Sequence, residues 1–225
     1  MAVAIDGPAG AGKSTVGKAL ARRLGWLFVD TGAMYRAATL KAMRLGVDFA
    51  DDAALARIAD EADIRLTQGD GAVRVWLDGE DVTGVIRTPE LTENVRFVAA
   101  CTGARAALVK KQRAACASSP AVMEGRDIGT VVLTDAAAKF YLDASVDERA
   151  RRRLLDLRSK GAADADFDEV KRNIVSRDKS DMERADSPLR RAEDADVVNT
   201  DGLGIDQVVD LLERRTREKV AALRE

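Results

Sequence analysis

The residues with the clearest chemistry are Gly7-Pro8-Ala9-Gly10-Ala11-Gly12-Lys13-Ser14-Thr15. From Gly7 to Ser14 they match G-x-x-x-x-G-K-[ST], a spacing that lets successive backbone N–H groups curl around the phosphates of a nucleotide. Lys13 then reaches the β- and γ-phosphates, and the Ser14 hydroxyl is placed to ligate Mg2+. The expected nucleotide is ATP, held by Gly7 to Thr15.

Two more clusters could serve a group that accepts phosphate. In Asp30-Thr31-Gly32-Ala33-Met34-Tyr35-Arg36, the Arg36 guanidinium could grip a phosphate with two hydrogen bonds while Thr31 offers a hydroxyl. Taken alone, the heptad fits a capped helix start with Arg36 in solvent equally well. In Glu124-Gly125-Arg126-Asp127, Glu124 is placed to hold Mg2+ through water and Arg126 to neutralise phosphate charge. A surface turn with an internal ion pair is the alternative.

Composition removes other chemistries. The chain of 225 residues contains no histidine, so Ser-His-Asp hydrolysis, Cys-His proteolysis and imidazole acid–base work are excluded. Phosphoryl transfer needs little beyond positioning and charge. The two cysteines, Cys101 and Cys116, form no zinc-binding spacing and are expected to be buried or idle thiols. A net charge of −2 argues against a nucleic-acid binder. The charge is uneven, with thirteen Lys and Arg against nine Asp and Glu between Arg149 and Arg191. By composition that stretch is a solvated helix pair. With no long apolar run and no leader-like start, a cytoplasmic protein without membrane contact is expected, and the lack of heptads makes a monomer the default.

The elements that must position these residues are readable in outline. Val3 to Ile5 is a short buried strand that runs into the glycine-rich loop, after which Val16, Leu20 and Leu24 recur at helical spacing until Gly25. Trp26 to Val29 reads as a second strand, with others at Ala121–Met123, Phe140–Leu142 and Asp196–Val198. Five parallel strands with helices on both faces are expected. Between Ile64 and Ile86 the pattern alternates instead, broken by Gln68-Gly69-Asp70-Gly71 and Asp78-Gly79, which predicts a small antiparallel meander. It must lean on helices expected at Ala33–Leu45, Asp51–Glu61 and Pro89–Ala117, the last bending at Thr102-Gly103. Gly161 to Asp168 reads as a loop between two basic helices.

Gly7 to Thr15, Asp30 to Arg36, Asp78-Gly79-Glu80-Asp81-Val82-Thr83 with Ile86-Arg87-Thr88, Glu124-Gly125-Arg126-Asp127-Ile128-Gly129-Thr130, and Arg177-Asp178 together resemble the cytidylate kinase family. The similarity spans nearly the whole chain in order. It implies a single domain of α/β class with a P-loop core, an acceptor-binding insert at about 36–96 and a helical lid at about 149–171. It implies phosphorylation of CMP or dCMP by ATP with Mg2+. By the same resemblance Arg36 and Arg126 bind the CMP phosphate, while Thr31 and Arg105 hold the cytosine end or position the nucleotide. Asp127, Arg177, Asp181 and Arg184 complete the nucleoside pocket, with Asp181 near the sugar. Lys13, Arg126, Arg153 and Arg177 are the expected catalytic cations, and Ser14 and Glu124 the expected metal ligands. The basic stretch from Arg149 to Lys160 thereby becomes a lid that faces phosphate.

One departure stands out. Relatives often carry a serine after the valine of Val95-Arg96-Phe97, and a proline where this chain has Thr102-Gly103. Arg96 either replaces a donor to the cytosine carbonyl or points outward. The rival functions are a P-loop kinase for another small acceptor, such as shikimate, and a nucleotide-binding switch without any acceptor.

Overall fold

The computed structural model describes residues 1–69, 72–159 and 161–223. Its core is a five-stranded sheet of β1 (Ala2–Asp6), β2 (Leu27–Asp30), β6 (Ala121–Glu124), β7 (Ala138–Asp143) and β8 (Asp196–Asn199), in the order β2-β6-β1-β7-β8 with every pair parallel. These are the five strands that the apolar runs predicted. Their register brings Ile5 and Asp30 level with Glu124, and Asp6 level with Tyr141, so the carboxyl ends of four strands form one edge. Ligands of open α/β sheets bind at such an edge.

Helix α1 (Lys13–Leu24) leaves the central strand through the glycine-rich loop and ends at Gly25, which adopts the left-handed conformation. Gly7 admits no side chain there, because a Cβ would lie 2.0 Å from the Leu142 carbonyl oxygen of β7. Helix α2 (Thr31–Arg44) is capped by the Asp30 carboxylate, which accepts the Ala33 N–H at 2.8 Å. Helix α3 (Asp52–Glu61) starts behind its cap Asp51.

The predicted meander is β3 (Ile64–Gly69), β4 (Ala72–Leu77) and β5 (Glu80–Asp81), antiparallel in that order. Asp78 and Gly79 both have positive φ, 49° and 87°, as a two-residue hairpin turn between right-twisted strands requires. In the other turn, Asp70 and Gly71 lie outside the described residues. Ile64, Val75 and Leu77 pack with Ile58 of α3 and with Leu91, supplying the support the meander cannot give itself.

The expected long helix is two helices, α4 (Pro89–Ala100) and α5 (Thr102–Ala115), broken at Cys101 rather than at Thr102-Gly103. Cys101 is extended and its Sγ accepts the Ala104 N–H, so the thiol acts as the cap of α5. Gly103 is needed one step later, since a Cβ there would come 2.6 Å from Ala56 of α3. Helices α6 (Val146–Ser159) and α7 (Phe167–Glu183), where the lid was expected, pack around a small core of Ala150, Val170 and Ile174, and α8 (Ile205–Ala222) packs back on the sheet. The loop expected at Gly161–Asp168 is shorter, because Asp166 caps α7 through the Glu169 N–H. Lys160 lies outside the described residues. None of the helices is long and apolar enough, among the described residues, to cross a membrane.

Candidate active site

The loop after β1 holds Lys13 almost out of solvent, 6% exposed, with its Nζ donating to the Pro8 carbonyl at 2.6 Å. Burial, then the neighbouring Arg126 charge, lowers its ammonium to about 7. Glu124 faces it from the end of β6 and is 4% exposed. Burial, then the Asp30 charge, pushes its carboxyl up to about 7, against the pull of Lys13 and of a hydrogen bond from Ser14. Its Oε1 is buried without a hydrogen-bond partner. An unpaired buried carboxylate oxygen beside a loop serine is what a divalent cation shared with phosphate would satisfy. The described residues contain no cluster of three or more His, Cys, Asp or Glu able to hold a metal by themselves, so phosphate and water oxygens must complete such a shell.

Glu124 therefore carries a stability signature. Because its pKa is raised on folding from 4.5 to about 7, the neutral form's contribution is complete below the unfolded value and is lost as pH rises through the folded one. Glu124→Gln mimics the neutral form throughout. The ligand-free variant is expected to exceed the parent in stability by about 1–3 kcal/mol near pH 8, with the gain vanishing toward pH ~4.5. Urea unfolding across that range measures it, and a gain independent of pH would contradict the assignment.

Around this pair stand the arginines. Arg36 and Arg87 both reach the Asp30 carboxylate, at 3.3 and 3.2 Å, and the Nε of Arg36 is buried without a partner. Arg126 donates to Asp181 of α7 at 2.8 Å. Arg177 of α7 is exposed, yet the surrounding protein, then the Arg126 charge, lowers it to about 10. The Arg126 charge lowers Lys13, Arg36 and Arg177, while Arg126 itself is raised by Asp181 and Glu124 against its burial, and Asp30, Glu124 and Asp181 are carboxylates among these cations. Such a surplus of positive charge is relieved by phosphate groups.

The pocket expected to hold the nucleoside adjoins this cluster. Arg105 is 2% exposed, pairs with Asp127 and lies over the Tyr35 ring, 5.5 Å from its centroid. Arg184 approaches the same Asp127 at 3.7 Å and Asp181 at 3.9 Å, and its Nε donates to the Ser187 carbonyl at 2.7 Å. The Tyr35 hydroxyl and the Arg105 Nε are buried and unpartnered.

Other expectations need adjusting. Thr31 is a brace in this conformation, since its hydroxyl donates to the Glu124 carbonyl at 2.7 Å and ties the start of α2 to β6. Arg153 is half exposed and pairs with Asp156 on its own helix at 2.8 Å, although its charge still reaches Arg177. Arg96 is exposed, its guanidinium 4.8 Å above the Phe97 ring. Two lid arginines that sequence reasoning did not separate from their neighbours lie against the glycine-rich loop instead. Arg149 is buried on Ala9, and Arg152 stands 3.8 Å from where a Cβ of Gly12 would be, fixed by Thr200 and Glu148. Arg87 was legible only as part of a motif. The i, i+3, i+4 spacing of Arg149, Arg152 and Arg153 puts all three on one helical face and cannot say which touches what. Cys116 is free, its thiol pushed up to about 11 by burial, as suits an idle cysteine.

A central parallel strand feeding a phosphate loop into a helix, with a second arginine cluster at the carboxyl ends of neighbouring strands, defines a P-loop kinase. A solved structure of an uncharacterized protein from Eubacterium ventriosum ATCC 27560 shares the fold, with a TM-score of 0.53 at 12% identity over 96% of this chain and 98% of that one. The family model for cytidylate kinase matches residues 3–218. Cytidylate kinase of Shouchella clausii is 46% identical over 96% of this chain and 97% of its own length. That of Desulforamulus reducens is 51% identical over 92% of each. The chain belongs to the cytidylate kinase family.

Proposed function

We propose that this enzyme transfers the γ-phosphoryl group of ATP to CMP or dCMP, giving ADP and CDP or dCDP. The observation that carries the reading is that Lys13, Arg36, Arg126 and Arg177 lie within reach of one another's charge, with Arg126 joined through Asp181 to the Arg105–Asp127–Arg184 cluster. An oxygen of the CMP phosphate attacks the γ-phosphorus, the bond to the β–γ bridging oxygen breaks, and the leaving charge stays on ADP. The attacking group is already an anion, so no general base is needed, which suits a chain without histidine. Arg36 and Arg126 let go of Asp30 and Asp181 in part to bind the acceptor phosphate, while Lys13 turns from Pro8 to the donor. Charge spreading over the transferred group is met by Lys13 and Arg177, with Arg153 reaching in from the lid. Ser14 and Glu124 would hold magnesium, which would supply positive charge to the donor phosphates.

The test is ADP release with CMP, AMP, UMP and shikimate offered separately. CMP is expected to stimulate turnover well above the others. Slow ATP hydrolysis unaffected by any acceptor would instead point to a nucleotide-dependent switch, and preference for another acceptor would replace CMP in the reading.

A further inference from the structure

Two consecutive peptide planes of the glycine-rich loop are held by side chains of the lid helices. The Ala9 N–H donates to Asp178 Oδ1 at 3.1 Å, and the Ala9 carbonyl accepts from Arg149 Nη1 at 2.9 Å. Arg149 Nη1 also pairs with Asp178 Oδ2, and Arg149 Nε donates to the Ala144 carbonyl at 3.0 Å. Ala9, Arg149 and Asp178 are all buried. The next residue, Gly10, has a φ of +80°, and a Cβ on it would come 3.0 Å from the Arg149 Cβ and 3.2 Å from the Arg149 carbonyl oxygen. The loop therefore lies flush on the start of α6.

A peptide unit is planar and trans, so its N–H and C=O point in opposite directions. The Ala9 N–H shares its plane with the Pro8 carbonyl, and that carbonyl is the one that accepts Lys13 Nζ at 2.6 Å. The Ala9 carbonyl shares the next plane with the Gly10 N–H. Holding Ala9 toward Asp178 and Arg149 therefore aims the Pro8 carbonyl at Lys13 and the Gly10 amide away from the lid. A buried ion pair contributes little net stability compared with apolar side chains of the same volume. Packing alone would not call for charges here. Holding a buried donor and a buried acceptor on one residue does.

We infer that Asp178, acting with Arg149 on the Ala9 backbone, is a positioning residue for ATP: it sets the two peptide planes that hold Lys13 in the ligand-free loop and turn the Gly10 amide away from the lid helices, toward the side where the donor phosphates bind. The inference uses the kinase reading only for its turnover measurements. In the full chain, Asp178→Ala is expected to raise the KM for ATP ~10–100-fold, the scale on which small misplacements act, while the KM for CMP stays within ~3-fold. Asp178→Asn keeps an acceptor for the Ala9 N–H and is expected to recover most of that loss. A merely structural residue would instead raise both KM values together, in step with a lower Tm and without recovery in the Asn variant, and that pattern would overturn the proposal.

Asp178→Ala leaves Arg149 buried without its partner and can fail to fold for that reason alone. The double variant Arg149→Met with Asp178→Leu removes both charges and the acceptor of the Ala9 N–H, and avoids this. Titrated with ATP in the absence of any acceptor, it is expected to bind at least ~10-fold more weakly than the parent. Equal affinity would overturn the inference. Because ATP binding is read here without an acceptor, a wrong assignment of CMP would leave this result standing.

Discussion

Lys13→Ala is expected to lower kcat by about 10^3-fold, about 4 kcal/mol of transition-state stabilisation, without lowering Tm. The activity loss follows from the proposed place of Lys13 beside the donor phosphates, where its charge would act on oxygens that gain negative charge as transfer proceeds. The stability expectation comes from the ligand-free electrostatics. Burial and the Arg126 charge lower the ammonium from 10.5 to about 7, which means that folding disfavours the charged lysine. A lowered lysine costs folding stability below its unfolded pKa, so removing it relieves a penalty near neutral pH instead of breaking a favourable contact. Thermal unfolding and a coupled ADP assay on the same preparation separate the two effects. Turnover within tenfold of the parent would remove Lys13 from the mechanism, and a large fall in Tm would show that its contact with the Pro8 carbonyl is structural.

Arg105→Met should damage both recognition and the fold, and a second substitution should separate them. Arg105 is nearly inaccessible, paired with Asp127 and laid over Tyr35, so its loss leaves the Asp127 carboxylate with Arg184 at 3.7 Å as its remaining cation. Burial already pushes the Asp127 carboxyl upward, while Arg105 and Arg184 hold it down. Removing the nearer guanidinium is expected to cost about 3 kcal/mol of stability, the scale of an uncompensated buried charge. Adding Asp127→Asn deletes that charge and should return a substantial part of the loss. Recognition should not return with it. A site that hydrogen-bonds a polar base edge leaves groups unpaired when the donors go, so the KM for CMP is expected to stay raised ~30-fold in both variants. The KM for ATP should remain within ~3-fold, and the preference for CMP over UMP should narrow. Equal loss with every acceptor in the stability-restored double variant would mean that Arg105 serves the fold and that the base is read elsewhere.

The parts of this protein that the amino-acid sequence determined by itself are those whose cause is local. Gly7, Gly10 and Gly12 with Lys13 announced a phosphate loop because the backbone path admits few other residues, and Asp78-Gly79 announced its hairpin because both positions need positive φ. The five core strands were legible as short apolar runs, since strands buried on both faces need no alternation. Where helices began and ended was less so. Cys101 broke the long helix because its own thiol could cap α5 and because Gly103 had to meet Ala56, a contact between segments far apart in the chain. The charges of the site show the same limit more strongly. With 36 Lys and Arg and 38 Asp and Glu, composition offers far more pairings than the fold can make, and spacing along a helix does not choose among them. Arg153 turned to Asp156, while Arg149, four positions earlier, found Asp178 on the next helix and the Ala9 peptide 140 residues away. Only the tertiary structure decided that, because burial removes the water that would otherwise satisfy each group and makes the partner that folding supplies the one that counts.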